Sequence, residues 1–411
     1  MTPISQDFAP PFKLIAPFFI LGALFYLISA LFIFSFSTDD LSFLNPKVLG
    51  FVHLFLLGFV MMIIFGAMAQ LVPVVLEVGH FGVELFYAIW PLLLIGTILM
   101  IFGFLYSPAL LPYGGLIVLI SMMIFVMEIF LTIFKVEKLN LIMSSVLISN
   151  TFLFFGIIFG LLMALVYAGT ITLDITALLH GHVYLVIGGY IMITIMGLSI
   201  VLVPMFTLSH GFSMLPLKIS VSLMSLGVVL VVLGSLFHTE ILEYIGYASS
   251  IISLGFYFYI IYIIYVTRPR KENDVYVISM MFSYISMLIA IIIGILYFVT
   301  NKEEFLLASG WMLFYGFFSF LITGHIYKII PFLVWFERFS PLVGKEKVPM
   351  LADMVPYKSS QAQFIFSAIG VVLVAAAIAT KTDILINAGA SFLVVGAVAF
   401  IRSVHYMIYF K

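Results

Sequence analysis

The sequence predicts an all-α integral membrane protein of about twelve transmembrane helices, arranged as three pseudo-repeats of four. Three observations lead there. The composition is 64% hydrophobic and only 9% charged, with a mean hydropathy of +1.31; a soluble domain is roughly 45–50% apolar and about 25% charged. Apolar runs near the roughly 20 residues that cross a bilayer recur along the whole chain. The alternating pattern of barrel strands is absent, so helices must satisfy the backbone inside the membrane.

Composition also excludes several functions. A net charge of −1 offers no surface for nucleic acid. The absence of cysteine rules out disulfides, thiolate metal ligands, iron–sulfur clusters and thioether-linked haem.

Taken in order, the chain opens with MTPISQDFAPPFK, which lacks a charged region followed by a small-residue cleavage site. It reads as a short tail before the first helix. Spans are expected at 12–36, 48–76, 82–105, 109–134, 140–168, 175–206, 214–236, 240–266, 275–299, 304–336, 361–379 and 385–409. The connections are short, so 1–411 reads as one polytopic membrane domain. The longest, near 337–360, is basic and holds Pro341, Pro349 and Pro356.

Lysine and arginine are unevenly shared between the two sets of loops. One set carries Lys135, Lys138, Lys218, Arg268, Arg270, Lys271, Arg338, Lys345, Lys347 and Lys358. The other carries Lys47, Lys302 and Lys381 beside Asp39, Asp40, Asp174, Glu240, Glu303, Glu304 and Asp383. By the positive-inside rule both termini lie in the cytoplasm, in the inner membrane of a cell, and helices two, six and ten start at the outer face.

Those three helices share a motif, G-x7-G-x6-P: Gly58, Gly66 and Pro73; Gly189, Gly197 and Pro204; Gly316, Gly324 and Pro331. The middle glycines are 131 and 127 residues apart, so four helices separate each copy from the next. The pseudo-repeats are thus centred on 48–76, 175–206 and 304–336. The glycines are expected to admit close helix neighbours, and the prolines to break each helix near its inner end.

Polar residues then fall in register. His53, Tyr184 and Trp311 occupy one column, and Phe51, His182 and Ser309 the column two residues earlier. His180, His182 and Tyr184 lie in the stretch LLHGHVYLVIGGY at the start of helix six. At 100° per residue His180 and Tyr184 share a face and His182 points about 160° away. Imidazoles from two helices at one depth are what a bis-histidine haem or a histidine-bound metal needs, and His53 with His180 or His182 is the most economical ligand set. The plainer reading is a set of interfacial histidines bonded to backbone carbonyls or headgroups. Glu128 in helix four, and His325 and Lys328 in helix ten, are secondary candidates as intramembrane ionisable groups. Lys328, Arg402 and His405 are near enough to the inner face to snorkel.

Twelve helices in three repeats, with histidines near the outer ends of helices two and six, resemble the catalytic subunit I of haem–copper oxidases and the related nitric oxide reductases. The stretch His180-Gly-His-Val-Tyr184 is similar to that family's sixth-helix motif, a copper-ligating histidine followed four residues later by a tyrosine. His53 is similar to the outer ligand of the low-spin haem. The resemblance implies a b-type haem held by His53 and helix six, with His180, His182 and Tyr184 at the site. It also implies electron transfer or the handling of oxygen or nitric oxide, alongside other respiratory subunits, a quinol donor or a second copy of the chain. The departures are equally specific. Residues 214–236 contain no histidine, and SGWMLFYGFF in helix ten offers Trp311 where the family has imidazoles. Copper is therefore not expected, nor a complete binuclear centre. Two other readings stay open: a cofactor-free accessory or assembly protein with the oxidase fold, and a transporter using Glu128, Gln70, Asn150 and Thr151.

Overall fold

The computed structural model describes residue 8 and residues 10–411, so most of the expected N-terminal tail lies outside the described residues. Among the described residues the chain is all-helical, with twelve helices long and apolar enough to cross a membrane. These are α1 Phe12–Ser35, α2 Pro46–Leu76, α3 Val83–Leu105, α4 Pro108–Ile133, α5 Leu141–Tyr167 and α6 Ile175–Thr207. They continue with α7 Leu215–Leu236, α8 Glu240–Thr267, α9 Val275–Thr300, α10 Glu303–Arg338, α11 Tyr357–Thr380 and α12 Asp383–Ile408. The chain is a multi-pass membrane protein, and the span boundaries differ from the sequence expectation by a few residues at most helix ends.

Local chemistry starts several of these helices. The Asn45 side chain accepts from Lys47 N at α2, with Pro46 at the first helical position. Asn140 accepts from Met143 N at α5, Asp174 from Thr176 N and Ala177 N at α6, and Asp274 from Val277 N at α9. Each supplies an acceptor to amides that have no partner within the helix.

Two compact units divide the chain. One contains Leu71–Glu272, and hence the end of α2 and α3 to α8; the other contains Pro10–Gln70 and Asn273–Lys411, and hence α1, most of α2 and α9 to α12.

Within them one contact recurs in three helix pairs. A Cβ on Gly58 would fall on the Phe25 ring of α1, one on Gly189 on Phe152 of α5, and one on Gly316 on Ser286 of α9. Eight residues later, Gly66, Gly197 and Gly324 meet Phe18, Ser145 and Ser279, each seven residues before the first partner. The missing side chain lets the paired backbones approach, which is how helices associate where lipid removes the usual hydrophobic drive. A second contact recurs in the other pairs. In α3 with α4, α7 with α8 and α11 with α12, Gly96 faces Gly114, Gly227 faces Gly246 and Gly370 faces Gly389. In each, the Cβ position of one glycine lies 2.8–3.1 Å from the carbonyl oxygen of the other.

The motif-bearing helices share one more feature. Each changes to π-helical winding at the first glycine: Leu54–Met61 in α2, Tyr184–Met192 in α6 and Met312–Phe318 in α10. Such turns insert a residue and rotate everything before them relative to everything after. The prolines behave differently from the expectation. Pro73 and Pro204 lie three residues before the ends of α2 and α6, but α10 runs seven residues past Pro331 to Arg338. A proline removes one amide donor and need not end a helix that neighbouring helices hold in place.

The core of the second unit is aromatic. Tyr26 of α1 lies 4.8 Å from Phe59, 6.1 Å from Tyr315 and 5.9 Å from Phe400, ring centre to ring centre. Its edges are fixed by hydroxyl bonds, Tyr315 Oη donating to Ser29 Oγ at 2.7 Å.

Candidate functional site

The three histidines near the starts of α2 and α6 each make a contact through Nδ1. His53 Nδ1 donates to Leu49 O, one turn back in its own helix, at 2.8 Å. His182 Nδ1 donates to Gly156 O of α5 at 2.8 Å, with its ring packed against Gly160. His180 turns the other way, its Nδ1 lying 3.0 Å from Glu243 Oε2 of α8. Tyr247 donates to the same carboxylate oxygen at 2.9 Å, and its ring centre is 5.3 Å from that of Tyr184. His180 and Tyr184 therefore share a face towards α8, and His182 faces α5, as helical geometry requires.

His182 has a counterpart. Ser309 also stands seven residues before the first glycine of its motif, and its Oγ donates to Ala290 O of α9 at 2.9 Å. Gly156 and Ala290 lie four residues beyond Phe152 and Ser286, the glycine contacts described above, so an imidazole on α6 and a hydroxyl on α10 make equivalent interhelical bonds. In α2 that column holds Phe51, which makes ring contacts instead.

Phe51, Trp311 and Tyr315 form a stack in the second unit. Trp311 and Tyr315 are 4.4 Å apart and 8° from parallel; Phe51 lies 5.8 Å from Tyr315 and 6.4 Å from Trp311. Phe55 adds a fourth ring 4.6 Å from Tyr315. The Trp311 indole Nε1 donates to Val371 O of α11 at 2.9 Å, and the residue is buried.

At the other end of α6's unit lies a pair that sequence reasoning found only in half. Glu128 is joined by His80, from the connection after α2, at 2.8 Å. Their side chains are 0% and 2% exposed. Glu128 Oε1 also accepts from Phe81 N at 3.1 Å and Thr132 Oγ1 at 2.7 Å. Lys135 closes the same corner by donating to Gly79 O and His80 O. A solitary acid inside α4 marked Glu128 as a candidate in the sequence, but nothing there pointed to His80 as its partner. Glu243, the partner of His180, was missed for the same reason.

Lys328 reaches the cap residue of α9. Its ammonium is 2.6 Å from Asp274 Oδ2 and half-buried, because the cap residue of α9 comes within reach. His325 donates from Nδ1 to Leu321 O and meets the Tyr276 ring edge-on. Of the remaining polar residues, Asn150 bonds to Val146 O and Thr151 to Leu147 O, both within α5, while Gln70 is buried in α2.

Outside the spans, several charged groups have close partners. Backbone amides at Ala177 and Thr176, with His238 and His180 nearby, hold the Asp174 carboxyl below the usual carboxylate range. The hydrogen bond from Lys47 does the same for Asp40, and Glu304 raises the Lys381 ammonium. Among the described residues, no three or more His, Asp or Glu side chains converge on a point that could hold a metal ion. Compared with protein-family models and with curated proteins, the chain matches none of either.

Proposed function

We propose that this chain has the three-times-four-helix architecture of a haem–copper oxidase catalytic subunit, and serves without a redox centre as an accessory or assembly protein of a respiratory enzyme in a cell's inner membrane. The architecture is supported by the two glycine contacts and the π-helical turns, each recurring in register through three sets of helices.

The observation that carries the functional reading is the ring stack between α2 and α10. A low-spin haem in this fold takes axial imidazoles from these two helices. Trp311 stands where the second imidazole would be, its only nitrogen already donating to Val371 O. An indole N–H is a donor and no metal ligand. Phe51, Phe55 and Tyr315 occupy the space beside it. The residues present therefore do not fit a haem there. On α6, His180 turns to Glu243 of α8 and His182 to Gly156 of α5, so the two imidazoles do not converge on one ligand position.

The test has two parts. The detergent-purified protein is expected to be colourless in oxidised and reduced visible spectra, negative in a pyridine haemochrome assay, and free of stoichiometric metal. About one haem b per chain, lost on His53→Ala, would overturn the reading. Membranes of cells lacking this chain are expected to carry less assembled terminal oxidase, seen as a reduced haem signal. An unchanged signal and unchanged respiration would remove the accessory role.

A further inference from the structure

Near the first turns of α10, a cavity of about 410 Å³ opens between α9, α10 and α11. Its walls are apolar, with Ile293 from α9, Ala308 and Met312 from α10 and Ala375 from α11. The only ionisable residues on it are Lys302 and Glu304, both at the mouth. Ile289 and Val372 on its rim are exposed, 39% and 57%, as lipid-facing residues are.

Depth identifies the occupant. From Lys302 to Met312 is ten residues, or about 15 Å of helix at 1.5 Å per residue. That is half of the roughly 30 Å hydrocarbon thickness of a bilayer, the depth of one leaflet. Charge identifies its head. Glu304 is paired with Lys381, and Glu303 accepts from Ser42 Oγ and Phe43 N. Both carboxylates beside Lys302 are thus engaged elsewhere. The Lys302 ammonium is exposed and makes no ion pair among the described residues, as a phosphate ligand would require.

We propose that this groove seats one acyl chain of a phospholipid whose phosphate is held by Lys302. The small side chains of Ala308, Ala375 and Ala379 leave the width for a hydrocarbon chain, and Met312 closes the inner end.

Native mass spectrometry of the full chain, released from nanodiscs of phosphatidylglycerol, tests this directly. One lipid adduct per chain is expected to survive activation that strips all others. K302E should lower its retention at least tenfold, and K302R should keep it. A308F, which fills the groove, should abolish it at an unchanged thermal midpoint. If A308F does not fold, K302E decides alone, because Lys302 is exposed and its replacement leaves the fold intact. Nanodiscs doped with diacylglycerol or a quinone test for a neutral occupant. Equal retention of either one, or K302E retention equal to wild type, would overturn the proposal.

Discussion

His80 and Glu128 lie 2.8 Å apart with both side chains almost wholly removed from solvent, although 48 residues separate them in sequence. Two polar groups taken out of water need each other as hydrogen-bond partners, and removing one leaves the other short of a partner. Glu128→Ala is therefore expected to destabilise the protein by about 1–3 kcal/mol. His80→Ala should cost a similar amount, and the double variant far less than the sum. A thermal-unfolding cycle in detergent measures this; strictly additive losses would show that the pair is not coupled.

Trp311 is held by a stack and by one hydrogen bond. Trp311→Ala is expected to cost about 3–5 kcal/mol through the cavity it leaves. Trp311→Phe keeps a ring beside Tyr315 and loses the bond to Val371 O, worth about 1 kcal/mol. Equal losses for the two variants would mean that the ring contacts contribute nothing.

The glycines separate by what stands over them. Gly58 and Gly189 are covered by Phe25 and Phe152, while nothing lies within 4 Å of a Cβ at Gly255 or Gly310. Gly58→Ala and Gly189→Ala should destabilise by about 1–3 kcal/mol through overpacking. Gly255→Ala and Gly310→Ala should stabilise by up to about 1 kcal/mol, because alanine is the better helix former. Detergent unfolding midpoints distinguish the two classes, and a loss at all four would refute the contact argument.

The start of α6 should be sensitive to acid. The folded-state pKa of Asp174 is depressed by the amides it caps, so its contribution is present above its ordinary value of 3.8 and is lost as pH falls through the lower folded value. Hydrogen exchange at residues 176 and 177 is expected to lose protection below about pH 4, once corrected for the intrinsic rate. Asp174→Asn should keep the cap and abolish that pH dependence. Acid loss persisting in Asp174→Asn would point to another group.

Much of this protein was legible in one dimension. Apolar run length is set by the thickness of a bilayer, so the twelve spans could be read from hydropathy alone. The spacing of Gly58 and Gly66, repeated at Gly189 and Gly316, announced which helix faces would be approached closely, and those are the faces on which α1, α5 and α9 lie. Helical periodicity also separated His180 from His182. The π-helical turns left no such trace, because an inserted residue has no composition of its own.

What tertiary structure alone decided is the identity of each polar residue's partner. Periodicity gives the direction in which a side chain points along its own helix, but not which helix waits there. His180 meets Glu243, His182 meets the carbonyl of Gly156, and Trp311 meets the carbonyl of Val371 across gaps of 63, 26 and 60 residues. Those choices turn on packing between segments distant in sequence, where burial leads most donors and acceptors to find a partner.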